Sequence, residues 1–189
     1  MSTKVVIKDS IQHPVRLSFV HAFHPAKPMS GNDDDAKYSV SIIIPKNHPQ
    51  IPEIQASIKE AMEDGKSTKF GGKITPNIKN PLRDGDNDRP DDPAYSGAYF
   101  INAASKNAPG ILEPTKQRMT DETHLYSGCY AHVVVNFYPY NASGNKGVAP
   151  GLNNIMKTRD GDPLSGAASA ESDFGDVDAV VPEVSDDWE

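Results

Sequence analysis

Residues Leu125–Tyr140 read LYSGCYAHVVVNFYPY, and sorting them by parity decides the fold class. Successive side chains of a strand point to opposite faces of its sheet. Cys129, Ala131, Val133, Val135 and Phe137 form one wholly apolar series, as a core-facing surface requires. The alternate series runs Tyr126, Gly128, Tyr130, His132, Val134, Asn136, Tyr138 and Tyr140. It mixes flat rings with hydrogen-bonding groups, too aromatic for a plain solvent face and too polar for a second core.

The same period of two recurs upstream. In VRLSFV, Val15, Leu17 and Phe19 are expected to face inward against Arg16 and Ser18. In KYSVSIII, Tyr38, Val40, Ile42 and Ile44 alternate with Lys37, Ser39 and Ser41. The intervening HPAKPMSGNDDDA reads as a flexible link between antiparallel neighbours. YSGAYFINAAS is a further strand, and GNKGVAPGLNNIMK, Gly144 to Lys157, reads as a turn leading into a last short strand. One helix is expected over Pro52 to Asp64, from the helical spacing of Ile51, Ile54, Ile58, Ala61 and Met62, with Gly65 just past its end. Gly71 to Asp92 is a loop longer than a compact domain keeps without a use for it.

Length favours one domain with an appendage. Residues 1–164 are expected to be that domain and 165–189 a disordered acidic tail, too poor in apolar residues to offset the entropy of ordering. No run is long and apolar enough for a signal peptide or a membrane span, which predicts a soluble, cytoplasmic protein without membrane partners. The lone Cys129 excludes an internal disulfide and falls in the apolar series, where a thiol is a small core residue. The formal charge is −7, ordinarily an argument against phosphate ligands. The segment 165–189 holds eight acids and no Lys or Arg, which leaves 19 basic against 18 acidic groups in the rest. Those acids are clumped in Asp33 to Asp35 and in Asp84 to Asp92, so a positive surface can coexist with a negative total.

Single-stranded nucleic acid asks for the mixture found on the polar side of Leu125–Tyr140, because each unstacked base offers a ring face and each phosphate a charge. Arg16 and Lys37 lie on wet faces, while Lys73, Lys79, Arg83, Lys106, Lys116, Arg118, Lys146, Lys157 and Arg159 fall in the connections. Tyrosines also commonly cover the rim of a sheet with the hydroxyl outward, and the residue pattern alone leaves both readings open. Rival chemistries are weaker. DGDNDR, from Asp84, begins like a calcium loop but has Arg89 in place of the glycine and Tyr95 in place of the closing Glu. Asp84, Asp86 and Asp88 are the candidates for a metal-dependent nuclease, the enzyme alternative. His21 and His24 have metal spacing only on a helix, and their flanks argue strand. No catalytic constellation and no cofactor are expected; a structural or assembly protein is the remaining class.

NPLRDGD, YSGAYFINAAS, LYSGCYAHVVVNFYPYN and GNKGVAPGLNNIMKTRDGDPL together resemble the phage single-stranded DNA-binding protein family, across nearly the whole body. That resemblance implies a mainly β, OB-fold-like five-stranded barrel with one helix and long loops. It also implies a non-enzymatic function, sequence-independent binding of single-stranded DNA in phage replication or recombination, in the cytoplasm of a host cell. The ending SDDWE is similar to the acidic tails of such proteins, although Glu189 follows the aromatic Trp188. Such a tail implies competition with DNA and recruitment of replication or recombination partners through Asp186, Asp187, Trp188 and Glu189. The expected strand-binding residues are Tyr126, Tyr130, His132 and Tyr138, with Tyr95, Tyr99 and Phe100 as further rings. Arg16, Lys37, Lys106, Arg118 and Lys146 are the expected phosphate contacts.

Overall fold

A computed structural model describes residues 3–26 and 36–164. The acidic run Asp33 to Asp35 and the segment 165–189, including Asp186, Asp187, Trp188 and Glu189, lie outside the described residues. Eight strands are present among the described residues: β1 Thr3–Ile7, β2 Arg16–Ala26, β3 Lys37–Pro45, β4 Arg83–Asp84, β5 Ala98–Ser105, β6 Gly110–Leu112, β7 Tyr130–Ala142 and β8 Asn145–Arg159. Helix α1 spans Ile51–Thr68 and the single-turn α2 spans Gly85–Asp88. No described helix is long and apolar enough to cross a membrane.

Strands β7, β2, β3, β5 and β8 follow one another by hydrogen-bonded pairing, and β8 pairs back onto β7, which closes a ring. All five are expected as strands from the sequence, β2, β3 and β7 by their alternation, and the ring they form is the OB-like feature of a mainly β fold. Strands β1 and β6 add to its outside, on β7 and β8 respectively. The apolar series of β7 fills the ring: Cys129, Ala131, Val133, Val135 and Phe137 are all wholly buried, against Leu17, Val40, Ile42 and Ile101.

Three local expectations are corrected. Phe19 does not join the core. The β2–β3 register shifts between Ser18 and His21, Phe19 takes φ 48, and its ring is left 48 % exposed. A bulge inserts a residue and reverses the alternation beyond it. Gly144 to Lys157 is not a turn with a short strand, because β8 is the longest strand and pairs with β7 from Asn145 to Arg159. Helix α1 runs through Gly65 rather than stopping before it. A side chain there would collide with Pro139 Cβ (2.5 Å) and the Phe70 ring (2.7 Å), so the glycine lets the helix press on the end of β7.

The loop expected over Gly71 to Asp92 is partly ordered by its own acids. Lys46 Nζ lies 2.8 Å from both Asp84 Oδ1 and Asp86 Oδ2. Asp84 accepts from Asp86 N at 2.9 Å and Asp86 from Gly97 N at 3.0 Å. The ammonium holds both carboxyls below their usual range, and they in turn hold Lys46 above its own. The knot draws residues 83–97 across β5 and buries a second small cluster of Ile43, Tyr95, Ala98 and Phe100.

Candidate nucleic-acid interface

The outward series of β7 lies along an antiparallel ladder with β8, in which Tyr140 faces Gly147, Tyr138 faces Ala149 and Asn136 faces Gly151. A groove of about 630 Å³ opens beside this end of the ladder. Tyr138 and Tyr140 form one wall, while Asn102 and Ala104 of β5 lie across from them. Lys37, Lys79, Arg83 and Lys106 stand round it, and among the described residues no carboxylate lines it. Tyr138 is 38 % exposed. Gly147 is needed beneath Tyr140, because a Cβ there would lie 2.9 Å from both the Tyr140 ring and Lys79 Cβ. The backbone of residue 79 is fixed on the same strand, since Lys79 N donates to Lys146 O (3.0 Å) and Val148 N to Lys79 O (3.0 Å).

Two of the expected cations, Lys37 and Lys106, meet the expected ring of Tyr138 here. Lys37, Lys79 and Lys106 have no carboxylate partner among the described residues, whereas Arg83 Nε pairs with Asp88 Oδ2 at 2.8 Å. Ammonium groups round a pair of tyrosines offer point charges for phosphates and apolar faces for bases, the combination suited to an unpaired strand. Lys79, Arg83 and Tyr140 belong to the groove although they were outside the expected set. Lys79 and Arg83 come from the long loop, and the bridge between Lys79 and Gly147 brings that loop to β8.

The other expected residues are elsewhere. Tyr95 and Phe100 are corrected: they are 0 % and 2 % exposed, edge to face with centroids 5.0 Å apart, and Tyr95 Oη donates to Ser41 Oγ at 2.8 Å. Arg89 lies over both, its guanidinium carbon 4.9 Å from the Tyr95 ring centre and 5.8 Å from that of Phe100. Tyr99 packs against the main core with Lys46 over its ring at 5.5 Å. Arg118 is exposed beyond β6, where it bridges Leu112. Lys146 adjoins the groove through its carbonyl while its side chain does not line it.

Tyr126, Tyr130 and Arg16 form a separate cluster at the opposite end of β7. Arg159 and Arg16 lie over the Tyr130 ring at 4.0 and 5.6 Å. Arg159 Nη2 in turn pairs with the buried Asp9 carboxylate at 3.2 Å. Arg16 Nε donates to Gly128 O at 3.0 Å and Nη2 to Asp162 O at 2.5 Å. Tyr126 Oη lies 2.9 Å from Gly161 O and accepts from Gly161 N at 3.0 Å, and burial holds its hydroxyl above the usual range. These groups fasten residues 159–164 to the ring, and the Tyr130 face is already occupied. His132 faces a second cavity between β1 and β6. Among the described residues no three His, Cys, Asp or Glu side chains are grouped to hold a metal ion. Burial raises the Cys129 thiol, as fits a core residue.

A family model described as the single-stranded DNA-binding protein of Enterobacter phage Enc34 matches residues 3–185. The chain belongs to that family. Putative protein p50 of Acyrthosiphon pisum secondary endosymbiont phage 1 is 34% identical over 177 residues, which cover 89% of this chain and 94% of the relative. Among solved structures, the chain is similar to the single-stranded DNA-binding protein of bacteriophage Enc34 in complex with ssDNA, at TM-score 0.71 and 24% identity, covering 87% of this chain and 89% of that one. It is also similar to gp2.5, a single-stranded DNA-binding protein of bacteriophage T7, at TM-score 0.62 and 14% identity over 95% of this chain and 96% of that one. At these identities the two structures speak for the fold, and family membership rests on the sequence matches.

Proposed function

We propose that this protein is a non-enzymatic, sequence-independent binder of single-stranded DNA that works in phage DNA replication or recombination. The observation that carries the reading is the groove, where Tyr138 and Tyr140 stand among Lys37, Lys79, Arg83 and Lys106 with no carboxylate of the described residues on the lining. Family membership supports it, as does the likeness in fold to a relative solved with ssDNA bound. Bases stack on the two tyrosines, a contact worth about 1–3 kcal/mol per base whatever its identity. The lysines neutralise phosphates and release counterions, so affinity falls as salt rises.

In this reading residues 1–164 are the binding domain and the acidic segment 165–189 is a tethered competitor. A polyanion on the same chain is present at high effective concentration near the groove and is displaced by long DNA. Trp188, flanked by Asp186, Asp187 and Glu189, then serves as the anchor for a replication or recombination partner. The nuclease alternative loses support because Asp84 and Asp86 are committed to Lys46 and to backbone amides, and Asp88 to Arg83.

Retardation of a labelled single strand, with duplex as competitor and magnesium present, tests the reading. The expected result is an intact, retarded strand that duplex does not displace, with log affinity falling linearly with log salt. Cleavage, equal competition by duplex, or affinity indifferent to salt would each reject it.

A further inference from the structure

Beyond the groove, the outward face continues over a flat patch of four strands. Val6 of β1 lies opposite Val134 of β7, which lies opposite Asn154 of β8; in the next row His132 faces Met156, and Met156 faces Leu112 of β6. These six residues enclose a cavity of about 460 Å³. Its walls are apolar, and its two polar side chains both have an atom already committed. His132 Nδ1 accepts from Asp9 N at 2.9 Å, so at neutral charge the ring proton sits on Nε2. Asn154 Oδ1 accepts from Gly110 N at 3.2 Å, which leaves its NH2 as the remaining group. Both side chains therefore have donors free to offer, His132 through Nε2 and Asn154 through its NH2.

The surroundings narrow the occupant further. Lys4 and Lys8 share the outward parity of Val6, are exposed, and have no carboxylate partner among the described residues. Neither outer strand offers a free edge at this point. Gln50 Nε2 donates to Val6 O (2.8 Å) and Gln50 Oε1 accepts from Lys8 N (2.7 Å), while Met119 N donates to Ile111 O (2.9 Å). An added peptide strand thus finds no ladder to extend. A second copy docked isologously would set this cationic, donor-rich face against itself. What fits is a flat ring with an acceptor edge on an anionic backbone. The patch is also continuous with the groove, through Asn136 opposite Gly151 and Tyr138 opposite Ala149.

We propose that this cavity is a second nucleobase site, which takes one unstacked base while Lys4 and Lys8 hold the adjoining phosphates of the same strand. The proposal rests on the single-strand-binding reading above and extends the path of the strand from the groove along the β7–β8 ladder. Thymine presents two carbonyl acceptors to these donors, whereas on adenine the exocyclic amino donor stands between the N1 and N7 acceptors and opposes one of the two donors. The protein consequently prefers thymidine-rich over adenosine-rich strands through this cavity.

The test uses the full chain with homothymidine and homoadenosine strands of about 5 and about 16 nucleotides, the range one such fold covers. Lys4→Ala/Lys8→Ala is expected to weaken the longer strand roughly tenfold and to reduce its salt slope by about 1.4, two phosphates at 0.7 each. It leaves the shorter strand, held by the groove, unchanged. Asn154→Asp, which keeps the acceptor for Gly110 N and removes the donors, is expected to erase the thymidine preference. A strand carrying 5-iododeoxyuridine should photocrosslink to peptides containing His132 or Met156; thermal melting checks that each variant is folded. If Lys37→Ala/Lys106→Ala weakens both lengths while the Lys4/Lys8 and Asn154 variants change nothing, the second site is overturned and the groove stands. If the intact protein binds neither strand, the functional reading itself fails. A Lys4/Lys8 effect that disappears once 165–189 are deleted would make the patch a seat for that segment. A changed oligomeric state with unchanged DNA affinity would make it a contact between copies. Either result overturns the proposal.

Discussion

The two ends of β7 carry the same ingredients and do different work. Tyr130 and Tyr138 sit on one strand with the same parity, and each has cations beside it. At the Tyr138 end those cations come from residues brought together only by the fold, and Lys37, Lys79 and Lys106 remain unpaired among the described residues, round an exposed ring. At the Tyr130 end Arg159 is neutralised by Asp9, Arg16 is spent on two carbonyls, and both guanidiniums lie over the tyrosine. Parity therefore predicts where a side chain points and says nothing about whether it is free. Availability depends on the counter-charges and carbonyls that the rest of the chain delivers.

If the comparison is right, damage at one end appears in stability and at the other in binding. The largest effect is expected from Asp9→Ala. Its carboxylate is 3% exposed, accepts from Val15 N at 2.8 Å and Thr158 Oγ1 at 2.7 Å, and pairs with Arg159. Removing it strands a buried N–H and a guanidinium, a loss of about 3 kcal/mol, at the low end for a buried pair because Arg159 is partly solvated. Urea unfolding measures it, and an unchanged midpoint would deny the Tyr130 end its structural role. Next comes Tyr138→Ala, expected to weaken strand binding by about 1–3 kcal/mol without lowering the melting temperature. Tyr130→Leu should do the reverse, and equal losses of affinity from both would erase the distinction. Lys106→Ala is smaller, taking about 0.7 from the slope of log affinity against log salt.

The smallest expected effect lies outside both ends. Glu113 Oε2, 2.7 Å from His124 Nδ1, together with Asp121 at 3.3 Å, holds His124 above its usual 6.5. A pKa raised on folding stabilises the protonated form, so the gain is complete below 6.5 and disappears as pH rises through the higher folded value. A slight fall in melting temperature across that window should be absent in Glu113→Gln, and its persistence there would assign it to another group. Exposure and solvent screening keep it slight.

The sequence made the ring legible because β2, β3 and β7 alternate, and the burial of Ala131, Val133 and Val135 between half-buried neighbours is what alternation predicts. It hid the length of β8, whose glycines and Pro150 carry turn chemistry that long pairing with β7 overrides. It misdirected Phe19, since a bulge shifts parity without leaving a mark in hydrophobicity. Tyr95 and Phe100 looked available because nothing in their own stretch announces that the two rings pack together on Ile43 beneath Arg89. The groove was half legible. Tyr138, Lys37 and Lys106 stand on or beside recognisable strands, while Lys79 and Arg83 arrive from a loop whose course depends on a bridge to Gly147.

The fastening of residues 159–164 has a practical corollary for anyone who trims the chain. Leu164 N donates to Ser127 O at 2.8 Å, and Asp162 and Gly161 are stitched to Arg16 and Tyr126. A cut after 164 spares every one of these stitches and changes only what hangs beyond them. A cut after 159 unpicks the seam, uncovers Tyr126 and frees Arg16 from one of its two carbonyls, so a gain in affinity from the shorter fragment would mix a lost competitor with a partly bared cation.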